Sequence, residues 1–139
     1  YDEEGFVQKV LISSQLDQPS ITPATHDLIS DQYLALDPIE IPSNSILITD
    51  GAYLLKPSYR EHWDYVIYFK TTFEIALSRG IARDADSLGG AEPAREKFIN
   101  RYHEASRRYI KECCPEERAD VVIDNSDLGA LLILKRQNH

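Results

Sequence analysis

Asp50 is the side chain whose sequence context most clearly indicates chemistry. It follows the apolar run at residues 46–49 (ILIT), which predicts a buried parallel strand, and it precedes Gly51, which lets the backbone turn closely. Ligands of open parallel sheets bind beyond the carboxyl ends of the strands, where a carboxylate can hold Mg²⁺ against phosphate oxygens. The alternative is that Asp50 and Gly51 only close the strand with a favourable turn.

Arg79 and Arg83 are four residues apart, which predicts that both project from one face of a helix. Residues 84–90 (DADSLGG) follow, a polar, glycine-bearing segment of the kind that serves as a mobile lid. Guanidinium groups at the base of a lid suit phosphoryl transfer, because their planar donors match charge spread over phosphate oxygens. The alternative is a solvated helix in which Arg83 pairs with Asp84 or Asp86.

The remaining candidates are more ordinary. Arg101 lies on the helix that follows the glycine-bearing segment, and we expect it to point towards that segment and contact a substrate. His26 could hydrogen-bond a substrate hydroxyl, although a lone loop histidine usually has no chemical role. The other histidines have no Cys or His partner at metal-ligand spacing, so a zinc site is not expected. Cys113 and Cys114 are adjacent, which is poor geometry for a structural disulfide, and we expect reduced thiols in a cytoplasmic protein.

The elements that must position these side chains alternate between strands and helices, which predicts an α/β fold with a mainly parallel sheet. The predicted strands lie at residues 46–49, 65–69 and 121–123, with an edge strand at 131–134. The predicted helices run from the N-cap Asp2 to near Gln15, from the N-cap Thr72 through Ile81, and from Glu92-Pro93 through Tyr109. Residues 17–44 contain four prolines and predict a hairpin or a long excursion from the sheet.

Composition indicates an ordinary globular chain. Its 139 residues are 42% hydrophobic and 27% charged, and we expect a single domain over residues 1–139. A net charge of -8 argues against nonspecific binding to nucleic acid, and no apolar run is long enough to cross a membrane. We therefore expect a small-molecule substrate as the partner, while the sequence assigns no oligomeric state.

An ordered series of short motifs resembles the uridine kinase/phosphoribulokinase-like branch of the P-loop kinases, particularly bacterial uridine-kinase-like proteins. The matching stretches span nearly the whole chain and occur in the family's order. They are Tyr1-Asp2, 26–31 (HDLISD), 46–54 (ILITDGAYL), 63–64 (WD), 79–84 (RGIARD), 100–102 (NRY) and 118–125 (RADVVIDN). The resemblance implies a P-loop NTPase-type three-layer α/β fold with a mainly parallel sheet, a hairpin excursion and a helical lid.

The resemblance also implies a reaction and its cofactors. The family transfers the γ-phosphoryl group of ATP, with Mg²⁺, to a primary hydroxyl, typically that of a nucleoside such as uridine or cytidine. By position, Asp50 resembles the Mg²⁺-associated acid, and Arg79 and Arg83 resemble the arginines that contact the phosphates. Tyr1 and Asp2 correspond to residues beside the sugar of the acceptor. The hairpin residues that correspond to the base pocket are His26, Leu28 and Asp31.

The chain departs from the family pattern at three places. Its hairpin reads His26-Asp27-Leu28 where the family has Tyr-Asp-Phe followed by His, and residues 88–90 (LGG) replace further lid arginines. No Gly-Lys-Ser/Thr is present, and the family's phosphate loop and proton-accepting acid would precede Tyr1. With no methionine in the chain, we expect a portion of a longer kinase that is inactive by itself. The alternatives are a non-catalytic binding module on a kinase scaffold and a kinase for another small alcohol.

Overall fold

The computed structural model describes residues 2–24, 26–27 and 30–137. The chain divides into two compact units, Tyr1–His62 and Trp63–His139. The class is mixed α/β, as predicted, with small sheets and one parallel strand pair among the described residues.

The first unit begins with a continuous helix whose hydrogen-bonding pattern changes along its length. Asp2 is the N-cap and accepts a hydrogen bond from Gly5 N at 2.9 Å, so the predicted cap is confirmed. The buried side chains of Leu11, Leu55 and Tyr59 give this unit its apolar core. The successive helical segments are α1 (Glu3–Phe6), a π-helical turn (Val7–Ile12) and a 3₁₀ turn (Ser13–Gln15).

Two short antiparallel ladders follow the first helix and confirm the predicted hairpin excursion. β1 (Ser20–Ile21) pairs with β4 (Ile39–Glu40), and β2 (His26–Asp27) pairs with β3 (Gln32–Tyr33) inside the span that those two strands enclose. Each strand has two residues, as expected for a segment punctuated by prolines that cannot donate to a ladder.

The predicted strand at residues 46–49 is wrong. Its backbone is irregular, and Ile46 and Ile48 are 87% and 86% exposed. A strand persists only where a neighbouring strand satisfies its main-chain N–H and C=O groups, and no described strand pairs with this segment. The apolar pattern identified a segment suited to a sheet, but it gives no information about whether another strand is available to pair with that segment.

The second unit contains a three-stranded sheet of order β5-β6-β7. β5 (Ile67–Lys70) and β6 (Val121–Asp124) are parallel, while β7 (Leu132–Arg136) runs antiparallel to β6, with a register shift between Val122 and Ile123. These strands confirm the predictions at 65–69, 121–123 and 131–134. One face of β5 is uncovered, because Ile67 and Phe69 are exposed on this edge strand.

Helices form the connection between β5 and β6, as predicted. Thr72 caps the first of them, accepting from Ile75 N at 3.3 Å, and Phe98 packs so closely on Gly80 that a Cβ there would lie 2.2 Å from its ring. No helix of the described ranges is long and apolar enough to span a membrane. The segments are α2 (Phe73–Asp84), α3 (Ala91–Lys97), a π-helical turn (Phe98–His103), α4 (Glu104–Cys113) and α5 (Pro115–Arg118).

Candidate functional site

The hairpin formed by β2 and β3 brings together two of the residues that were predicted to contact the acceptor nucleoside. His26 Nε2 lies 3.1 Å from Asp31 Oδ1, at a turn where Asp31 adopts a left-handed backbone conformation with φ of 55°. A carboxylate beside an imidazole fixes the orientation of the ring, which can then bond a ligand hydroxyl. The third predicted residue, Leu28, lies outside the described residues.

Tyr33 completes this hairpin and was not among the predicted residues. It is the cross-strand partner of His26, and the two rings meet edge to face with centroids 5.4 Å apart. Its own ring is exposed, and an exposed aromatic face is a surface on which a planar base can stack. Only the register of β2 with β3 links Tyr33 to His26, and the sequence does not determine that register.

Asp2 has a structural role in addition to the predicted contact with a sugar. Its side chain caps α1 through the bond from Gly5 N, and a Cβ on Gly5 would lie 2.0 Å from an Asp2 carboxylate oxygen. Tyr1 lies outside the described residues. The contact of these two residues with an acceptor sugar stays a prediction.

Asp50 lies on the irregular segment that was predicted to be a strand, and its side chain is exposed. Across the described ranges, no group of three His, Cys, Asp or Glu side chains forms a metal-binding cluster. Mg²⁺ commonly binds through one or two carboxylates together with substrate phosphates and water, so a single exposed aspartate is chemically suited to that mode. The assignment of Asp50 to Mg²⁺ stays a prediction.

Arg79 connects α2 to the carboxyl end of β6. Its Nη1 donates to the Asn125 carbonyl at 2.7 Å and its Nη2 to the Ser126 carbonyl at 2.8 Å. Both carbonyls follow β6 directly, so this guanidinium lies at the edge of the sheet where parallel strands present ligands. In this structure those two donors serve the main chain.

Arg83 lies one turn further along α2 and forms the ion pair that was the alternative to a phosphate contact. Its Nε and Nη2 donate to the two carboxylate oxygens of Asp84 at 2.7 and 2.8 Å. The hydrogen bond from Arg83 is the main cause that lowers the pKa of the Asp84 carboxyl. Exposed ion pairs of this kind are weak, so an anionic ligand can compete for the guanidinium.

The segment predicted as a lid is a closed turn between α2 and α3. Gly90 N donates to the Ala85 carbonyl at 2.8 Å, and Leu88 N donates to the Asp84 carbonyl at 3.0 Å. Gly89 and Gly90 have φ values of 86° and 116°, which other residues adopt only with strain. The glycines therefore shape this turn, and its opening and closing stay a prediction.

The π-helical turn after α3 carries the predicted Arg101, which is exposed, and His103, which is buried. The His103 ring lies 4.8 Å from the Phe73 ring centroid, and its Nε2 has no hydrogen-bond partner among the described residues. Burial, followed by the charge of Arg107, lowers the pKa of His103. This histidine packs α2 against the following helix, and the contact of Arg101 with a substrate stays a prediction.

The carboxyl edge of the parallel pair holds polar residues that the sequence analysis did not select. Lys70 and Asp124 are register partners at the last positions of β5 and β6. The Asp124 carboxylate accepts from Ser126 N at 2.8 Å, and hydrogen bonds with Ser126 lower the pKa of this carboxyl. Lys70 Nζ bonds Glu116 at 2.9 Å. Lys70 and Asp124 each follow directly after a predicted strand, as Asp50 does, so the position selected for Asp50 would have identified both residues.

Comparison with known proteins leaves the chain without an assigned relative. Models of protein families, curated proteins and solved structures give no match. Any functional assignment therefore depends on the motifs of the sequence and on the geometry described above.

Proposed function

We propose that this chain carries the acceptor-binding and phosphate-contacting parts of an ATP-dependent phosphotransferase that acts on a primary hydroxyl of a nucleoside. Uridine and cytidine are the favoured acceptors, from the resemblance of the ordered motifs. The structural observation that supports the proposal is Arg79, a predicted phosphate contact, at the carboxyl edge of β5 and β6 through its bonds to Asn125 and Ser126. A P-loop NTPase-type sheet in the complete protein is part of the same proposal.

In this proposal the protein acts by position and charge. Asp50 would help to hold Mg²⁺, which would supply positive charge for the phosphates, and phosphoryl transfer in general needs little covalent chemistry from the protein. Arg83, whose side chain is exposed, would exchange its Asp84 partner for a phosphate oxygen, because a doubly charged phosphate attracts a guanidinium more strongly than one carboxylate does. The chain has no Gly-Lys-Ser/Thr sequence, so by itself it should bind ATP weakly.

In this proposal the hairpin formed by β2 and β3 contacts the nucleoside that accepts the phosphoryl group. The His26 imidazole, oriented by Asp31, would bond a hydroxyl of the acceptor, and the exposed Tyr33 ring offers a surface for stacking a base. A pyrimidine nucleoside provides both a planar base and ribose hydroxyls. A small alcohol without a base would leave Tyr33 without a role, which favours the nucleoside.

The deciding experiment measures ADP release by the complete protein with Mg·ATP and a panel of nucleosides and small alcohols. We expect uridine or cytidine to be the best acceptor. Asp50→Asn should lower kcat by about a hundredfold or more, because one charge that stabilises the transition state is lost. Asp37→Asn is the matched control, since Asp37 is also exposed on irregular backbone of the first unit. Equal turnover of the Asp50 variant and the parent would refute its role.

A non-catalytic binding module is the second candidate, and one observation favours it. The Nη1 and Nη2 donors of Arg79 bond two carbonyls of the chain itself, and the Nε and Nη2 donors of Arg83 bond the Asp84 carboxylate. A binding module would show saturable nucleoside binding by calorimetry with no ADP release from any acceptor. His26→Ala should weaken nucleoside binding for an enzyme and for a binding module alike, so turnover is the measurement that separates the two.

A further inference from the structure

The outer edge of β7 is an apolar surface that the proposed function does not use. Residues 131–134 (LLIL) are four consecutive apolar residues, each between 52% and 62% exposed. β7 is the last strand of its sheet, so no described strand lies along its outer edge. Natural edge strands usually carry a charge or a proline that prevents pairing, and β7 has its two charges, Lys135 and Arg136, only at its end, after the uncharged residues 131–134.

Exposure of four successive residues has a geometric meaning. Side chains of a strand alternate between the two faces of the sheet, so the exposed run shows that both faces are largely uncovered at residues 132–134, while Lys135 further along β7 is half-buried. The neighbouring β6 differs, because Val121 and Val122 are buried. A long run of exposed apolar residues on an unpaired edge is a pairing surface.

We propose that the outer edge of β7 pairs antiparallel with β7 of a second copy of this chain. A two-fold axis through such a pair apposes the apolar run of one copy to the same run of the other, so leucine and isoleucine side chains become cross-strand neighbours. The interface would be isologous, and the two sheets would join into one continuous sheet of six strands.

Charge complementarity is the reason for choosing a second copy as the occupant. Arg136, at the end of β7, is exposed, whereas Asp127 lies in the exposed turn that leads into β7. In an antiparallel pair the basic end of one strand lies beside the acidic turn of the other, which places opposite charges at both ends of the interface. Lys135 does not contribute, because its Nζ already donates to the carbonyls of Glu116, Glu117 and Ala119.

The primary test is the mass of the 139-residue chain in solution, measured by sedimentation over a wide range of protein concentration at physiological salt. We expect a species of twice the 15.9 kDa chain mass that dissociates on dilution. Ile133→Lys, which places a charge in the middle of the edge, should raise the dimer Kd about tenfold or more. Ile99→Lys is the matched control, since Ile99 is an exposed isoleucine of the same unit. Near-ultraviolet circular dichroism checks that both variants fold.

A charge-swap experiment tests the antiparallel orientation. Arg136→Glu and Asp127→Arg should each raise the Kd about threefold, as expected for exposed charge pairs, and the double variant should recover parental affinity. Asp127 also accepts a hydrogen bond from Gly129 N, but that bond is lost equally in Asp127→Arg and in the double variant. Recovery in the double variant therefore reports the intermolecular pair.

Three results would overturn the proposal. The first is a monomer at every concentration, including one that binds an unrelated strand-forming peptide, since the occupant would then be foreign. The second is a dimer that Ile133→Lys leaves intact, because the contact would lie elsewhere. The third is a dimer that the charge swap does not restore, because the strands would then pair in another orientation.

Discussion

Residues 46–50 and residues 121–124 share one sequence pattern and have different structures. Each is a short apolar run that ends on an aspartate, ILITD in the first unit and VVID in the second. The second forms β6, with Val122 2% exposed, while the first is irregular, with Ile48 86% exposed. The difference is that β6 lies between β5 and β7, which satisfy its main chain on both sides. The apolar pattern identifies candidate strands, and the presence of a neighbouring strand determines which of them forms.

The largest effect that this comparison predicts comes from placing a charge in each run. Val122→Asp would bury an unpaired carboxylate and should lower the free energy of unfolding by about 4 kcal/mol or more, which can unfold the second unit. Ile48→Asp should change it by no more than about 0.5 kcal/mol, because the site is already in water. Urea unfolding followed by far-ultraviolet circular dichroism reports both units, and the fluorescence of Trp63, the single tryptophan, reports the second unit separately. Similar losses for both variants would show that residues 46–50 are buried in solution.

A second pair of substitutions compares the packing of the two units at one glycine in each. Gly80→Ala should cost about 2 kcal/mol, because the new methyl group meets the Phe98 ring at 2.2 Å and one of them must move. Gly51→Ala should be nearly neutral, since its nearest contact would be Leu54 at 3.8 Å. Thermal unfolding measures both. A gain in stability for Gly80→Ala, which helix propensity alone would give, contradicts the close contact.

In the background of Phe98→Leu, the cost of Gly80→Ala should decrease, because the ring that causes the clash is gone. A double-mutant cycle measures this coupling. An unchanged cost would assign the destabilisation to the backbone of α2 and not to Phe98.

Much of the second unit could be predicted, and the reason is local. The cap at Thr72, the apolar face of α2 and the compact run of β6 each specify an element within a few residues. The candidate site was harder, because its contacts join residues far apart in sequence. The bonds from Arg79 to Asn125 and Ser126 and the pairing of His26 with Tyr33 require tertiary structure and strand register, which periodicity does not contain.

The pH dependence of stability should distinguish the second unit from the first without any substitution in residues 46–50 or 121–124. Burial and the nearby Arg107 lower the pKa of His103 in the folded state, against the opposing charges of Glu74 and Glu104. The unfolded chain therefore binds more protons, and the second unit should lose stability as the pH falls below the ordinary histidine value of about 6.5. Above that value, stability should not depend on the protonation of His103.

Urea midpoints between pH 7 and pH 5, read from Trp63 fluorescence, check this dependence. His103→Leu should flatten the profile, and His26→Leu, which changes the exposed hairpin of the first unit, should leave it unchanged. Carboxyl groups with lowered pKa, such as Asp124, act only at lower pH because their stabilisation is lost as they protonate. A profile that His103→Leu does not alter would place the titrating group elsewhere.

The last comparison is between the two arginines of α2, and the smaller of the two effects is that of Arg83. Arg83→Ala should lower the free energy of unfolding by less than about 1 kcal/mol, because it removes one exposed ion pair with Asp84. Arg79→Ala should cost about 2 kcal/mol, because the carbonyls of Asn125 and Ser126 lose their charged donor where β6 ends. If the proposed function is right, Arg83→Ala should nevertheless lower kcat in the complete protein, which would mark Arg83 as a residue kept for chemistry, not stability. Equal costs for the two variants would mean that α2 is not anchored to the sheet through Arg79.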